Sequence, residues 1–249
     1  MIGIPESSGN MTAAVLHVAG VWPAGALSTR GPRPQVLLMP PVCGLYPPLD
    51  TSFPAIAEHL GQEGFRASVL RFAGQNGASG AYSVASSCAA AARFASRIEG
   101  PVLFFGICSG GIAALAASIH AVGPAAVFCW DVALRYNYTP RLVEQMAKRY
   151  NVRFCRDTCL LPVQPSDLVP RTPATTTFAF PSRSTATTAA AQRALAALTP
   201  RGRVREIPGL THLPGVPRGS ERAFGEILVG WAIRSCDELR CTADADRLA

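Results

Sequence analysis

The stretch of this sequence most suited to chemistry is Gly106-Ile107-Cys108-Ser109-Gly110-Gly111. It follows an apolar run, Val102-Leu103-Phe104-Phe105, and precedes alanine-rich sequence. That order reads as strand, sharp turn and helix, with a cysteine at the apex of the turn. The glycines have a physical reason, because side chains there would collide with the neighbouring strand and helix. A thiol at the apex projects above a helix N-terminus, where the helix dipole favours the thiolate. The Ser109 N–H lies beside it as a donor to a developing oxyanion. The competing reading is a buried core cysteine, which is how Cys43, Cys88 and Cys129 read. A phosphate-cradling loop would need Gly-Lys-Ser or Gly-Lys-Thr at its end, and no lysine is present. The double glycine and the strand–helix context point to Cys108 as a nucleophile.

The elements that must position this cysteine follow from the apolar pattern. Short runs at Val36–Met39, Ser68–Leu70, Val102–Phe105, Ala126–Trp130, Thr176–Phe180 and Val204–Ile207 are bounded by Gly, Pro or charge. They predict buried strands of a mostly parallel sheet. Helices are expected over Phe53–Gly61, Ser83–Ile98, Ser109–Ala121, Thr185–Leu198 and Ser220–Arg234, which makes the fold class α/β with helices on both faces. Ala13–Val18 and the Gly/Pro-rich turn after it suggest an antiparallel edge hairpin. After Asp131 the alternation breaks. Thr139-Pro140 is a helix start with Thr as N-cap, and Leu142, Val143, Met146 and Tyr150 form an apolar stripe at helical spacing. Residues of about 135–173 are read as an inserted lid, the competing reading being a crossover helix with a long loop. The expectation is one domain over 1–236 and a polar tail over 237–249.

The glycine-flanked cysteine between strand and helix resembles the nucleophile turn of the α/β-hydrolase superfamily, and the resemblance covers roughly residues 30 to 235. G-x-C-x-G-G turns of this kind resemble polyhydroxyalkanoate synthases, hydrolases associated with exosortase systems and thioesterase domains of natural-product assembly lines. The resemblance implies the chain order nucleophile, acid, histidine. Of the four histidines, His17, His59, His120 and His212, His212 falls in the expected place, between the last strand and the last helix. The commonest acid slot, Pro181-Ser182-Arg183-Ser184-Thr185, contains no carboxylate. The alternative slot, at the end of the strand after the nucleophile helix, holds Asp131. Asp131 is thus the expected acid, against the reading that it caps a lid helix and that Cys108 and His212 act as a dyad. The second oxyanion donor is expected after Met39, where Pro40 and Pro41 have no N–H, so Val42 or Cys43 must supply it. Arg71–Gly80 resembles a structural segment of the superfamily, with Arg71 where an Asp often stands.

Composition narrows the partners. The net charge of +7 comes almost wholly from arginine, Lys148 being the sole lysine. The arginines are scattered, no run reads as a nucleic-acid patch, and no nucleic-acid partner is expected. No apolar stretch is long enough for a membrane span, and Met1–Met11 lacks the pattern of a secretory signal. The eight cysteines are therefore expected as thiols in a reducing cytoplasm. Neither Cys155/Cys159 nor Cys236/Cys241 has the spacing of a zinc knuckle, and no metal or cofactor is expected.

A thiolate attacking a thioester exchanges one thioester for another at little cost. The expected substrate is therefore an acyl thioester on coenzyme A or a carrier protein, loaded onto Cys108 by a thioesterase or acyltransferase of specialised metabolism. Met146 and Tyr150 are expected to line the acyl site. Two other readings are a dienelactone-hydrolase-like enzyme acting on small esters or lactones, and a non-catalytic binding protein of the same fold.

Overall fold

β-branched and aromatic residues alternating between two buried faces build the sheet. In the computed structural model, residues 14–18, 34–47, 49–136, 139–155, 163–213 and 219–248 are described, with side chains except over 14–18 and 242–248. The elements in chain order are β1 (Ala14–Val18), β2 (Gln35–Met39), α1 (Leu49–Gln62), β3 (Arg66–Arg71), α2 (Val84–Ala95), β4 (Val102–Ile107), α3 (Ser109–Ile119) and β5 (Ala125–Trp130). Then come α4 (Pro140–Tyr150), α5 (Pro165–Leu168), a 3-10 turn (Val169–Arg171), β6 (Thr175–Pro181), α6 (Ala189–Leu198), β7 (Gly202–Ile207) and α7 (Ser220–Leu248). Among the described residues seven strands form one sheet in the order β1-β3-β2-β4-β5-β6-β7. β1 runs antiparallel to β3, and every other pair is parallel.

The order β3-β2-β4 has a consequence for function. The chain leaves β2 toward one side and returns to the other, so the loops after β2 and β4 diverge and leave a crevice at their C-terminal ends. Every residue of β4 is buried. Leu37, Met39, Val102 and Phe104 face the side covered by α2 and α3. Val36, Leu38, Leu103, Phe105 and Ile107 face the side with Phe53 of α1 and Phe224 of α7. There Trp130 meets Phe224 edge-on at 4.6 Å and Phe128 meets Trp231 at 5.2 Å. Such pairs add about 1 kcal/mol each beyond area burial. On the other side α2 begins at a capping box, in which the Ser83 hydroxyl accepts from Ser86 N–H and Ser86 Oγ accepts from Ser83 N–H.

Three expectations change. β1 pairs with β3 and not with β2, so its partner is the second strand after it in the chain rather than the next one. The turn that was to close a hairpin lies outside the described residues. Residues 237–248 are no separate tail but continue α7. The helix expected from Thr185 begins at Ala189 with Thr188 as its cap, because residues 184–187 turn toward β5 instead. In the insertion, α4 starts at Pro140 with Thr139 as N-cap, and none of its residues is fully buried. The return segment is pinned by Arg153 N–H to Gly74 C=O, Tyr82 N–H to Arg153 C=O and Cys155 N–H to Tyr82 C=O.

The glycines around the turn at Cys108 leave no room for a Cβ. A Cβ on Gly110 would stand 2.2 Å from the Met39 carbonyl oxygen, and one on Gly106 would stand 2.4 Å from that of Gly110. Gly110→Ala is expected to lower stability by about 2–3 kcal/mol in urea unfolding. Gly209→Ala, at φ +79° with open space around it, is expected to cost about 1 kcal/mol. Equal costs at the two positions would contradict this packing.

Candidate active site

Cys108 sits where β4 hands over to α3, with φ 52° and ψ −124°. A residue with a side chain holds this conformation only when its surroundings enforce it, at a cost of about 1–3 kcal/mol. Here Cys108 N–H donates to Trp130 C=O at 2.9 Å, and Cys108 C=O accepts from Gly111 N–H at 2.9 Å. The thiol is part-exposed at the N-cap of α3, whose dipole favours negative charge there. Burial pushes Cys43 and Cys88 up to about 12 and Cys236 up to about 11, and it raises Cys129 as well. These remain protonated and inert at neutral pH.

Asp131 follows β5 at φ 52°, with its N–H donating to Ala179 C=O at 2.7 Å. Its side chain has no exposure, and His212 Nδ1 lies 2.6 Å from its Oδ2. Two hydroxyls also donate to it, Ser184 to Oδ2 and Thr187 to Oδ1. Burial alone would raise this carboxyl, but hydrogen bonds from His212, Ser184 and Thr187 outweigh it and hold the group below its ordinary value. Gln192, wholly buried, supports the arrangement by donating to Thr187 Oγ1 at 2.9 Å and to Val132 C=O at 2.7 Å. The turn that lacks a carboxylate thus supplies donors to the carboxylate one strand away.

His212 is held from both ends. Its carbonyl accepts the Trp130 indole N–H at 3.0 Å, and its ring binds Asp131 through Nδ1, which leaves Nε2 as the ring nitrogen available to the neighbouring Cys108. Burial disfavours a charged ring, but the hydrogen bonds to Asp131 and Cys108 and their negative charge raise it from 6.5 to about 10. The arrangement can hold a thiolate–imidazolium pair, deliver the sulfur to a carbonyl carbon and return the proton to a leaving group. His120 caps the far end of α3, and His59 lies on α1 against Gly225.

The loop after β2 presents the other half of the site. Val42 N–H donates to Ser109 Oγ at 2.7 Å and so turns inward. That corrects the expectation for Val42 and leaves the Cys43 N–H. Among the described residues neither that N–H nor the Ser109 N–H has an acceptor in another residue. The loop is fastened by Gln75 and Asn76. Gln75 Nε2 donates to Pro41 C=O at 2.9 Å and Val42 C=O at 3.0 Å, and Asn76 Oδ1 accepts from Leu45 N–H at 2.8 Å. Both lie in the Arg71–Gly80 segment, where nothing local in the sequence marks them for this role. Of the residues in the insertion, Met146 and Tyr150 are half-buried against the α2–α3 side, and Tyr150 meets Tyr46 edge-on at 5.0 Å. Tyr136, also in the insertion and not singled out from sequence, places its hydroxyl 3.6 Å from Cys108 Sγ. Among the described residues no cluster of three or more His, Cys, Asp or Glu converges as for a metal ion, and no helix is long and apolar enough to cross a membrane.

Strand order and the turn at Cys108 define an α/β-hydrolase fold. No family model matches the sequence, and no curated protein matches it. Solved structures do. A thermophilic esterase from Thermogutta terrifontis superposes with a TM-score of 0.61 at 15% identity, over 92% of this chain and 96% of that one. The enol-lactonase from Burkholderia xenovorans LB400 gives 0.62 at 13%, over 90% and 98%. The monoacylglycerol lipase of Paleococcus ferrophilus gives 0.59 at 12%, over 90% and 99%. At these identities the likeness establishes the fold.

The Asp131–His212 pair gives a pH signature. His212 is raised in the folded state, so its contribution to stability is complete below pH 6.5 and is lost as pH rises through about 10. Asp131 is lowered from 3.8, so its contribution is present above that value and is lost as pH falls through its folded value. The stability difference between the wild type and Asp131→Asn in urea unfolding is expected to be largest in the window between these limits, at about 3 kcal/mol. It shrinks on either side. A difference that does not vary with pH would contradict the ion pair.

Proposed function

We propose that the protein is a cysteine-dependent acyl-transfer enzyme, a thioesterase or acyltransferase working through an acyl-S-enzyme on Cys108. The observation that carries this is a strained, part-exposed Cys108 beside a His212 whose ring is anchored on a wholly buried Asp131. In this reading the Cys108 thiolate attacks the acyl carbonyl, and the oxyanion is received by the Ser109 and Cys43 N–H groups. His212 protonates the leaving group and then draws a proton from water, an amine, an alcohol or another thiol. Asp131 fixes the tautomer and orientation of the ring and stabilises its charge.

Thioesters are the favoured substrate class. Their exchange with Cys108 keeps the acyl group activated for the second step, whereas an ester must give up an alkoxide to a thiolate that leaves more readily. The donor is an acyl thioester on coenzyme A or a carrier protein, with the acyl chain along Met146 and Tyr150. The site needs Cys108 reduced, which suits a cytoplasmic setting and a place in biosynthesis.

Cys108→Ala is expected to lose at least about 10³-fold in kcat/KM on acyl thioesters with an unchanged urea midpoint, and Cys108→Ser to be weak as well. Wild-type turnover by Cys108→Ala would overturn the proposal. Faster turnover of small esters or lactones than of thioesters would favour the dienelactone-hydrolase-like reading. With an amine or alcohol acceptor added, the ratio of transfer product to free acid separates a transferase, whose ratio rises with acceptor, from a thioesterase, which gives free acid alone.

A further inference from the structure

The Tyr136 hydroxyl is placed against the reacting sulfur by a set of contacts that leaves it little freedom. Its oxygen accepts the Ala133 N–H at 3.2 Å, and its O–H donates to Cys108 Sγ at 3.6 Å. Both backbone groups of Tyr136 are gripped by one side chain from the other end of the insertion. Tyr136 N–H donates to Gln164 Oε1 at 2.8 Å, and Gln164 Nε2 donates to Tyr136 C=O at 3.0 Å. Gln164 is fixed in turn at the start of α5, where its own N–H donates to Asp167 Oδ2 at 3.3 Å. The two roots of the lid are therefore stapled together at the residue that touches the nucleophile. Core packing of the ring would not require the hydroxyl to face sulfur, nor a two-point clamp on the backbone behind it.

Resting on the acyl-S-enzyme reading above, we propose that Tyr136 is a further catalytic residue whose hydroxyl stabilises Cys108 sulfur as the leaving group when the acyl-enzyme breaks down. In that step water attacks the acyl carbonyl carbon and its proton passes to His212 Nε2. The tetrahedral oxyanion then reforms the carbonyl, and the C–S bond breaks with its electron pair going to Sγ. The products are the free carboxylic acid and a thiolate beside an imidazolium. The Tyr136 O–H keeps its proton throughout and supplies a hydrogen bond that strengthens as charge grows on sulfur.

The two half-reactions feel this bond differently. Deacylation starts from a neutral thioester and gains the hydrogen bond on the way to its transition state. Acylation starts from a thiolate that already has it, and gains nothing further. A merely structural tyrosine would slow both halves alike.

The test is single-turnover quench flow with enzyme in excess over a short-chain acyl N-acetylcysteamine thioester. Thiol release reports acylation, and free acid reports deacylation. Tyr136→Phe is expected to slow acid release about tenfold while thiol release stays within about threefold, and acyl-enzyme accumulates in the intact mass. Gln164→Ala, which keeps the hydroxyl but frees its clamp, is expected to show the same selectivity with smaller size and guards against misfolding of the first variant. Equal slowing of both steps, or no change in either, overturns the role of Tyr136. Thiol release by Cys108→Ala at the wild-type rate would instead overturn the acyl-S-enzyme itself, so the two failures are distinct.

Discussion

The Asp131 carboxylate has no contact with solvent, and the rest of the site is arranged around that fact. A buried carboxylate is tolerated only when its charge is met by donors and a counter-charge. The chain supplies His212, Ser184 and Thr187, drawn from the loop after β7 and the turn after β6. Meeting that need also fixes the orientation of the His212 ring beside Cys108.

Trp130, the neighbouring residue, extends the same constraint. Its carbonyl receives Cys108 N–H and its indole donates to the His212 carbonyl, while its ring packs on Phe224 in the aromatic core. The end of β5 therefore ties Cys108, Asp131 and His212 to one packed strand. On the opposite side of the crevice, Ser109 binds Val42 while Gln75 and Asn76 hold the loop that carries Cys43. The insertion meets Cys108 at the Tyr136 hydroxyl, and its helix α4 buries none of its residues fully.

Much of this frame is written in local sequence. Apolar runs ending in Gly, Pro or charge mark β2, β4, β5 and β6, since buried parallel strands need little else. The glycines around Cys108 mark the turn because no Cβ fits there. Asp131 is reached by elimination, from an empty slot after β6. What is hidden depends on partners far along the chain. Ser184 and Thr187 act 53 and 56 positions from Asp131, Gln75 acts 34 from Pro41, and Gln164 acts 28 from Tyr136. Ordinary hydroxyls and amides carry no local sign of such roles. Val42 and Cys43 are equal on paper, because the proline pair before them removes two donors without telling which later N–H turns inward. The polar residues after Cys236 read as a tail for want of an apolar stripe, yet a helix already packed through Phe224 and Trp231 continues at little cost into helix-favouring residues.

The central claim is that the acyl group is carried on Cys108 sulfur. The most direct measurement is to mix the enzyme with an acyl thioester, quench in acid within the first turnover and locate the added mass by peptide mapping. The account predicts one acyl increment on the peptide containing Cys108, released by neutral hydroxylamine. An acyl group on any other residue, with Cys108 left unmodified, would contradict it.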